Sequence, residues 1–463
     1  MSSAAASELC FAEAGELARL VRQREVSAVE LVELYLDRIE RLDPALNAYV
    51  TVDADGARAA AAKPTDGPFA GVPIAIKDLT ETAGLRTTYS AKALADYVPS
   101  FDSAVVRRIR EAGFVVLGKT NTPELGTLGV TESELNGICR NPWDVTRTPG
   151  GSSGGAAAAV AAGLAPLAHG SDGGGSIRIP ASCCGLVGLK PSRGRISSAP
   201  WPAGMFGLAT HAPVGRTIRD VAALLDVMSG YELGDEYVAP PPERPFAEEA
   251  LRPAGRLRIG VSVDPPVEVP VADECAAAVR TAADVLTALG HDVVEAEPPW
   301  NGEELSRHFL RVWRQGPATS GIDPEQLEPH NRALAADAAK TPAPELARSL
   351  QFLRTDARRF LALWEELDVL VTPTLALPPV PTGWSFEGSE DDPRAVVARQ
   401  RLFVPFTQIF NVTGQPALSL PLHRSGDLPI GVQFAARPFD ETTLVRLGAQ
   451  LEAERPWADR RPA

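Results

Sequence analysis

Two clusters of glycine and serine constrain this chain more than any other feature. They are Gly150-Gly151-Ser152-Ser153-Gly154-Gly155 and Asp172-Gly173-Gly174-Gly175-Ser176-Ile177-Arg178, and their lead serines stand 24 residues apart. Glycine lacks a Cβ, so such segments let backbone N–H groups come close to another group, provided a rigid scaffold holds them in place. The alanine run that follows the first cluster, Ala156 to Ala162, predicts a tightly packed helix stopped by Gly163. Upstream, Lys77 closes the apolar run Val72-Pro-Ile-Ala-Ile, whose composition predicts a buried strand.

A serine hydroxyl is a poor nucleophile at neutral pH unless a base accepts its proton. The six histidines (169, 211, 291, 308, 330 and 423) are scattered, and none stands in a nucleophile–base motif. A lysine can serve instead, but its ordinary pKa of about 10.4 must fall towards neutrality, which burial achieves. Lys77 is the candidate, and a second serine can bridge it to the nucleophile. Glycine N–H groups beside that nucleophile would receive the negative oxygen formed during acyl transfer.

Each piece has a plainer reading. One glycine cluster alone could be a loop feeding a helix, and Lys77 alone reads as a strand-end surface lysine. Ser153 reads as a hydrogen-bonding neighbour, and Asp172 and Arg178 as charged supports that hold the loop around Ser176. Only the joint pattern points to acyl-transfer chemistry.

The same residues resemble the amidase signature family. The resemblance rests on Gly150 through Ala162 and on Gly170-Ser-Asp-Gly-Gly-Gly-Ser-Ile-Arg-Ile-Pro through Pro191. Flanking runs agree: Gly71 to Asp78, Gly118-Lys-Thr-Asn-Thr-Pro-Glu-Leu, Arg140-Asn-Pro-Trp-Asp, Phe410 to Pro421, and Pro429-Ile-Gly-Val-Gln-Phe. About 202 to 400 is not matched motif by motif. The resemblance implies Ser176 as nucleophile, Ser152 as relay after a cis peptide bond, and Lys77 as general base. It further implies an oxyanion hole from the N–H groups of Gly173, Gly174, Gly175 and Ser176, with Gly126 and Thr127 on the opposite wall of the substrate site. Position 173 is usually larger in the family, so a third glycine here would loosen the hole or widen the pocket. The implied activity is hydrolysis of a small-molecule carboxamide through an acyl-enzyme, with no cofactor and no metal.

Within the family, the phrase from His169 to Pro180 and Arg193-Gly-Arg-Ile-Ser are similar to hydrolases of nylon-type cyclic amide oligomers and to general bacterial amidases. The alternative is an A-type subunit of glutamyl-tRNA amidotransferase. That group usually has glutamine after Ser-Ile-Arg, where this chain has Ile179. A third reading comes from Gly113-Phe-Val-Val-Leu-Gly118-Lys119-Thr120, which satisfies the pattern of a phosphate-binding loop. Its inner residues have buried-strand composition, and Asn121-Thr-Pro-Glu follows where a helix should start, so nucleotide binding is set aside.

Net charge of −14 disfavours nucleic acid or an anionic membrane as partner. The start, Met1 to Glu8, lacks the basic and apolar regions of a secretory leader, and no apolar run is long enough to span a bilayer. Five cysteines, an odd and sparse count, fit reduced thiols in a cytoplasm. Cys183 and Cys184 read as buried small hydrophobes. A homodimer is compatible with these features.

Ser27-x-x-Glu30 is a capping box for a helix striped by Leu31, Leu34, Tyr35, Ile39 and Leu42 and ended by Asp43-Pro44. Strands are predicted at 72–76, 114–117, 257–262, 292–297, 369–372 and 430–435. Helices are predicted at 102–112, 218–229, 272–289, within 302–366, and at 440–454; 194–215 reads as irregular loop. This alternation argues an α/β fold with a buried sheet. The resemblance implies a mixed central sheet covered by helices on both faces, in one large domain over 1–463. Its core would be 60–200 and 400–455, with a variable substrate-pocket region at about 232–400.

Overall fold

The computed structural model describes residues 8–462, so residues 1–7, which form most of the start read for a leader, lie outside them. The strands are β1 (Tyr49–Val52), β2 (Pro73–Lys77), β3 (Val115–Thr120), β4 (Glu132–Ser133), β5 (Gly137–Ile138), β6 (Leu167–Asp172), β7 (Val187–Lys190) and β8 (Thr210–Gly215). They continue with β9 (Arg258–Val261), β10 (Asp292–Glu295), β11 (Val369–Pro373), β12 (Ala417–Ser425) and β13 (Leu428–Ala436). Eleven form one sheet in the order β1-β3-β2-β6-β8-β7-β12-β13-β11-β9-β10, and β4 and β5 make a small separate hairpin. The sheet is mixed. β3, β2 and β6 run parallel at one end and β11, β9 and β10 at the other, while antiparallel pairs join them through the middle.

Burial explains the strand compositions. Every residue of β2, β3, β7 and β11 is buried, so these strands are apolar almost throughout rather than alternating. Helices cover both faces. On β12, Leu418 packs against Gly448 of the Glu441–Glu454 helix, whereas the next residue, Ser419, lies beside Gly431 with Ser182 of the Arg178–Cys184 helix. Successive strand residues point to opposite faces, so these two helices lie on opposite sides of the sheet.

The phosphate-loop pattern folds as a strand. Val115 to Thr120 is β3, paired on both edges and followed by no helix whose N-terminus could hold phosphate. Two expectations need correction. The segment 194–215 is not all irregular, because β8 occupies Thr210–Gly215 between β6 and β7. Pro213 hid it, since proline normally argues against a central strand. Here β7 pairs only with Val214 and Gly215, so no ladder bond to β7 is asked of Pro213. The helix opened by the Ser27–Glu30 capping box also runs past Asp43-Pro44 to Leu46. It closes at Asn47 in the left-handed region, while the Asp43 carboxylate accepts the Ala48 and Tyr49 N–H groups.

Candidate active site

Lys77 is the last residue of β2, completely buried, with Ile76 paired to His169 of β6. That register brings Lys77 against Ser171 on β6. The Lys77 ammonium nitrogen Nζ donates to Ser152 Oγ at 2.7 Å and to Ser171 Oγ at 3.1 Å. Burial pushes the Lys77 pKa down to about 7, against a weaker upward pull from Asp172. The expected convergence of Lys77 and Ser152 is therefore present. Ser171 was not singled out by the sequence; it is a second hydroxyl on the same nitrogen.

Ser152 lies in the turn before the fully buried Gly154–Ala161 helix, and its peptide bond from Gly151 is cis. A Cβ built on Gly126 would stand 3.2 Å from Ser152 Oγ, which puts Gly126 directly across from that hydroxyl. Ser153 ties the first cluster to the second. Its N–H donates to the Ser176 carbonyl at 3.2 Å, and its Oγ donates to the Ser171 carbonyl at 3.1 Å. Ser152 and Ser176 line one cavity, although no hydrogen bond joins their hydroxyls. Ser176 itself is buried, lines that cavity, and its hydroxyl has no hydrogen-bond partner among the described residues.

The loop that carries Ser176 hangs on Asp172 and Arg178, both buried. Arg178 Nε and Nη2 donate to the two oxygens of Asp172 at 2.9 and 2.8 Å. The remaining guanidinium donors reach Thr407 O and Gln433 Oε1 at 2.8 Å and Asn411 Oδ1 at 2.7 Å. Burial raises the Asp172 pKa, but the Arg178 charge outweighs it and holds the carboxyl well below the usual range. These residues bind the loop and do not line either cavity at Ser176.

Asp172 also accepts the Gly175 N–H at 2.8 Å. Gly175 was expected among the free donors of an oxyanion hole, and here its N–H is occupied. Its φ of +129° and the 2.4 Å that would separate a Cβ from Thr407 Oγ1 explain why only glycine fits. Among the described residues the N–H groups of Gly173, Gly174 and Ser176 have no acceptor. At Gly173 a Cβ would meet Ala209 and Trp313 at 3.3 Å, so the third glycine lets the Trp313 ring close over the loop.

Thr127 forms part of the far wall. Its Oγ1 donates to Asn331 Oδ1 at 2.9 Å, and Trp313 Nε1 donates to its carbonyl at 3.3 Å. His169 and His211 lie on neighbouring strands but are hydrogen-bonded to each other, Nε2 to Nδ1 at 2.9 Å, rather than to either serine. Burial holds His169 well below the usual imidazole value and brings His211 down to about 4. All five cysteines are buried and unpaired. No helix among the described residues is long and apolar enough to cross a membrane.

Comparison with known proteins shows the family to which the chain belongs. Residues 30–445 match the family model described as Amidase. The chain is 43% identical to the putative amidase AmiB2 of Mycobacterium tuberculosis (strain ATCC 25618 / H37Rv), covering 99% of each protein. It is 40% identical to the 6-aminohexanoate-cyclic-dimer hydrolase of Paenarthrobacter ureafaciens, over 96% of this chain and 95% of that one. A solved structure of 6-aminohexanoate cyclic dimer hydrolase complexed with substrate superposes with a TM-score of 0.92 at 38% identity, covering 98% and 99% of the two chains.

Proposed function

Because the chain belongs to the amidase family and is an amide hydrolase, we propose that it cleaves a non-peptide carboxamide, linear or cyclic, through an acyl-enzyme on Ser176. Lys77, which loses its charge as pH rises through about 7, takes in its neutral form the Ser152 proton while Ser152 takes that of Ser176. Ser176 Oγ attacks the carbonyl carbon, and the N–H groups of Gly173, Gly174 and Ser176 receive the oxygen as it becomes negative. The proton held by Lys77 returns through Ser152 to the leaving nitrogen. Water then enters, loses a proton along the same path, and releases the carboxylate.

One observation carries this reading: a buried lysine whose side-chain partners among the described residues are two serine hydroxyls, both of them sharing a cavity with Ser176. The likeness to a cyclic-dimer hydrolase supports aliphatic amides among the substrates, while Ile179 departs from the amidotransferase-subunit pattern. A panel of aliphatic, aryl and cyclic amides, given to the isolated protein, tests it. Ser176→Ala is expected to lower turnover by about 10⁴-fold or more with its thermal unfolding unchanged. A folded Ser176→Ala protein that turns over at the wild-type rate would refute the assignment.

A further inference from the structure

Two cavities of different character meet at Ser176. The larger, about 410 Å³, is walled by Tyr89, Leu125, Trp201 and Met205 and contains Ser152. The other, about 340 Å³, shares Thr127, Ser176 and Trp313 with the first, and Ser152 is not in its wall. Its apolar walls include Phe309, Leu310 and Val404, but it also holds three arginines and one aspartate.

Two of those arginines already have their counter-charge. Arg394 grips both oxygens of Asp337, Nε to Oδ2 at 3.0 Å and Nη2 to Oδ1 at 2.9 Å. Arg401 is paired with Glu303. Arg314 is different: among the described residues its side chain makes neither hydrogen bond nor ion pair, and its Nε is buried without a partner. Asp337 is near enough to feel the Arg314 charge, yet both its oxygens are engaged by Arg394. The Gln408 side chain, half-buried in the same wall, also makes no hydrogen bond among the described residues. Arg314 is half-buried, and its buried Nε–H without an acceptor is a cost that a ligand acceptor reaching the guanidinium relieves. The surplus is positive in a chain whose net charge is −14, so this cavity runs against the average of the molecule.

Resting on the amidase reading above, we infer that the preferred amides carry an anionic group, a carboxylate in the simplest case, at the far end of the acyl part, and that Arg314 with Gln408 receives it. The placement on the acyl side follows from the proton path. The leaving nitrogen collects its proton from Ser152, which faces only the aromatic cavity, so the amine portion occupies that side. The acyl chain is left to extend past Trp313 towards Arg314. A guanidinium matches a carboxylate in charge and in its paired donors.

The test compares mono-anilides of glutaric and adipic acid with the neutral anilides of butanoic and pentanoic acid, using wild type, Arg314→Gln and Arg314→Lys. Wild type is expected to favour the acid anilides by about tenfold or more in kcat/KM, chiefly through KM. In Arg314→Gln that ratio should fall by about tenfold, and Arg314→Lys should retain part of it. Equal rates on acid and neutral anilides in wild type would overturn the inference, and so would a preference that survives Arg314→Gln. A preference for carboxylate on the amine side, measured with N-butanoyl-4-aminobenzoate, would overturn it as well. Failure of every anilide and amide in the panel would instead sink the amidase reading itself.

Discussion

Two lysines on adjacent strands, Lys77 and Lys119, are both completely buried, and their surroundings separate them. Lys119 Nζ donates to the Thr80 carbonyl at 2.5 Å and to Thr87 Oγ1 at 2.7 Å, with the Asp78 carboxylate 3.7 Å away. Burial brings its pKa down to about 8, and Asp78 pulls in the other direction. Lys77 has no carboxylate in contact. Its nitrogen meets two hydroxyls, and burial takes it to about 7. Burial alone therefore does not make a base. The one hydroxyl on Lys119, that of Thr87, already donates its proton to the Leu85 carbonyl at 3.1 Å, whereas both hydroxyls on Lys77 line the cavity that holds Ser176 and can pass a proton towards it.

The comparison breaks most visibly if the two lysines are removed in turn. Lys77→Met should lower turnover by about 10³-fold or more, because residues that act as a unit fail together. Its fold should persist, which thermal unfolding followed by circular dichroism would show. Lys119→Met should do the reverse, destabilising the protein by about 3 kcal/mol through the Asp78 charge left buried and unpaired. The folded fraction should still turn over within about threefold of wild type. Exchange of these two phenotypes would contradict the distinction drawn here. A smaller effect sharpens it: Ser171→Ala removes one of the two hydroxyls on Lys77 and should cost about tenfold in rate. A loss as large as that of Lys77→Met would make Ser171 a member of the proton path rather than a support.

Much of this site is legible in the sequence because its parts lie in contiguous motifs. The glycine clusters announce themselves, and Val72 to Ile76 reads as buried before any fold is known. The plain reading of the first cluster is also correct, since Gly154–Ala161 is a tightly packed helix with Gly163 at its end. Ser171 is invisible for a different reason. It sits inside a recognised phrase, but its contact with Lys77 depends on the register between β2 and β6. The occupied N–H of Gly175 is likewise a product of local loop geometry that composition does not encode. Arg314 depends on how the Gly302–Trp313, Pro329–Ala339 and Ala395–Phe403 helices come together around Ser176. No motif spans those segments, so only the fold sorts its three arginines into paired and unpaired.

The most direct measurement is the pH dependence of Ser176 acylation, followed in the pre-steady state with an aryl amide. Lys77 accepts a proton only when neutral, so the rate should climb about tenfold per pH unit below about 7 and level off above about 8. A rate that stays constant from about pH 5.5 to 9 would contradict the account, because no group titrating where Lys77 does would then be taking the proton.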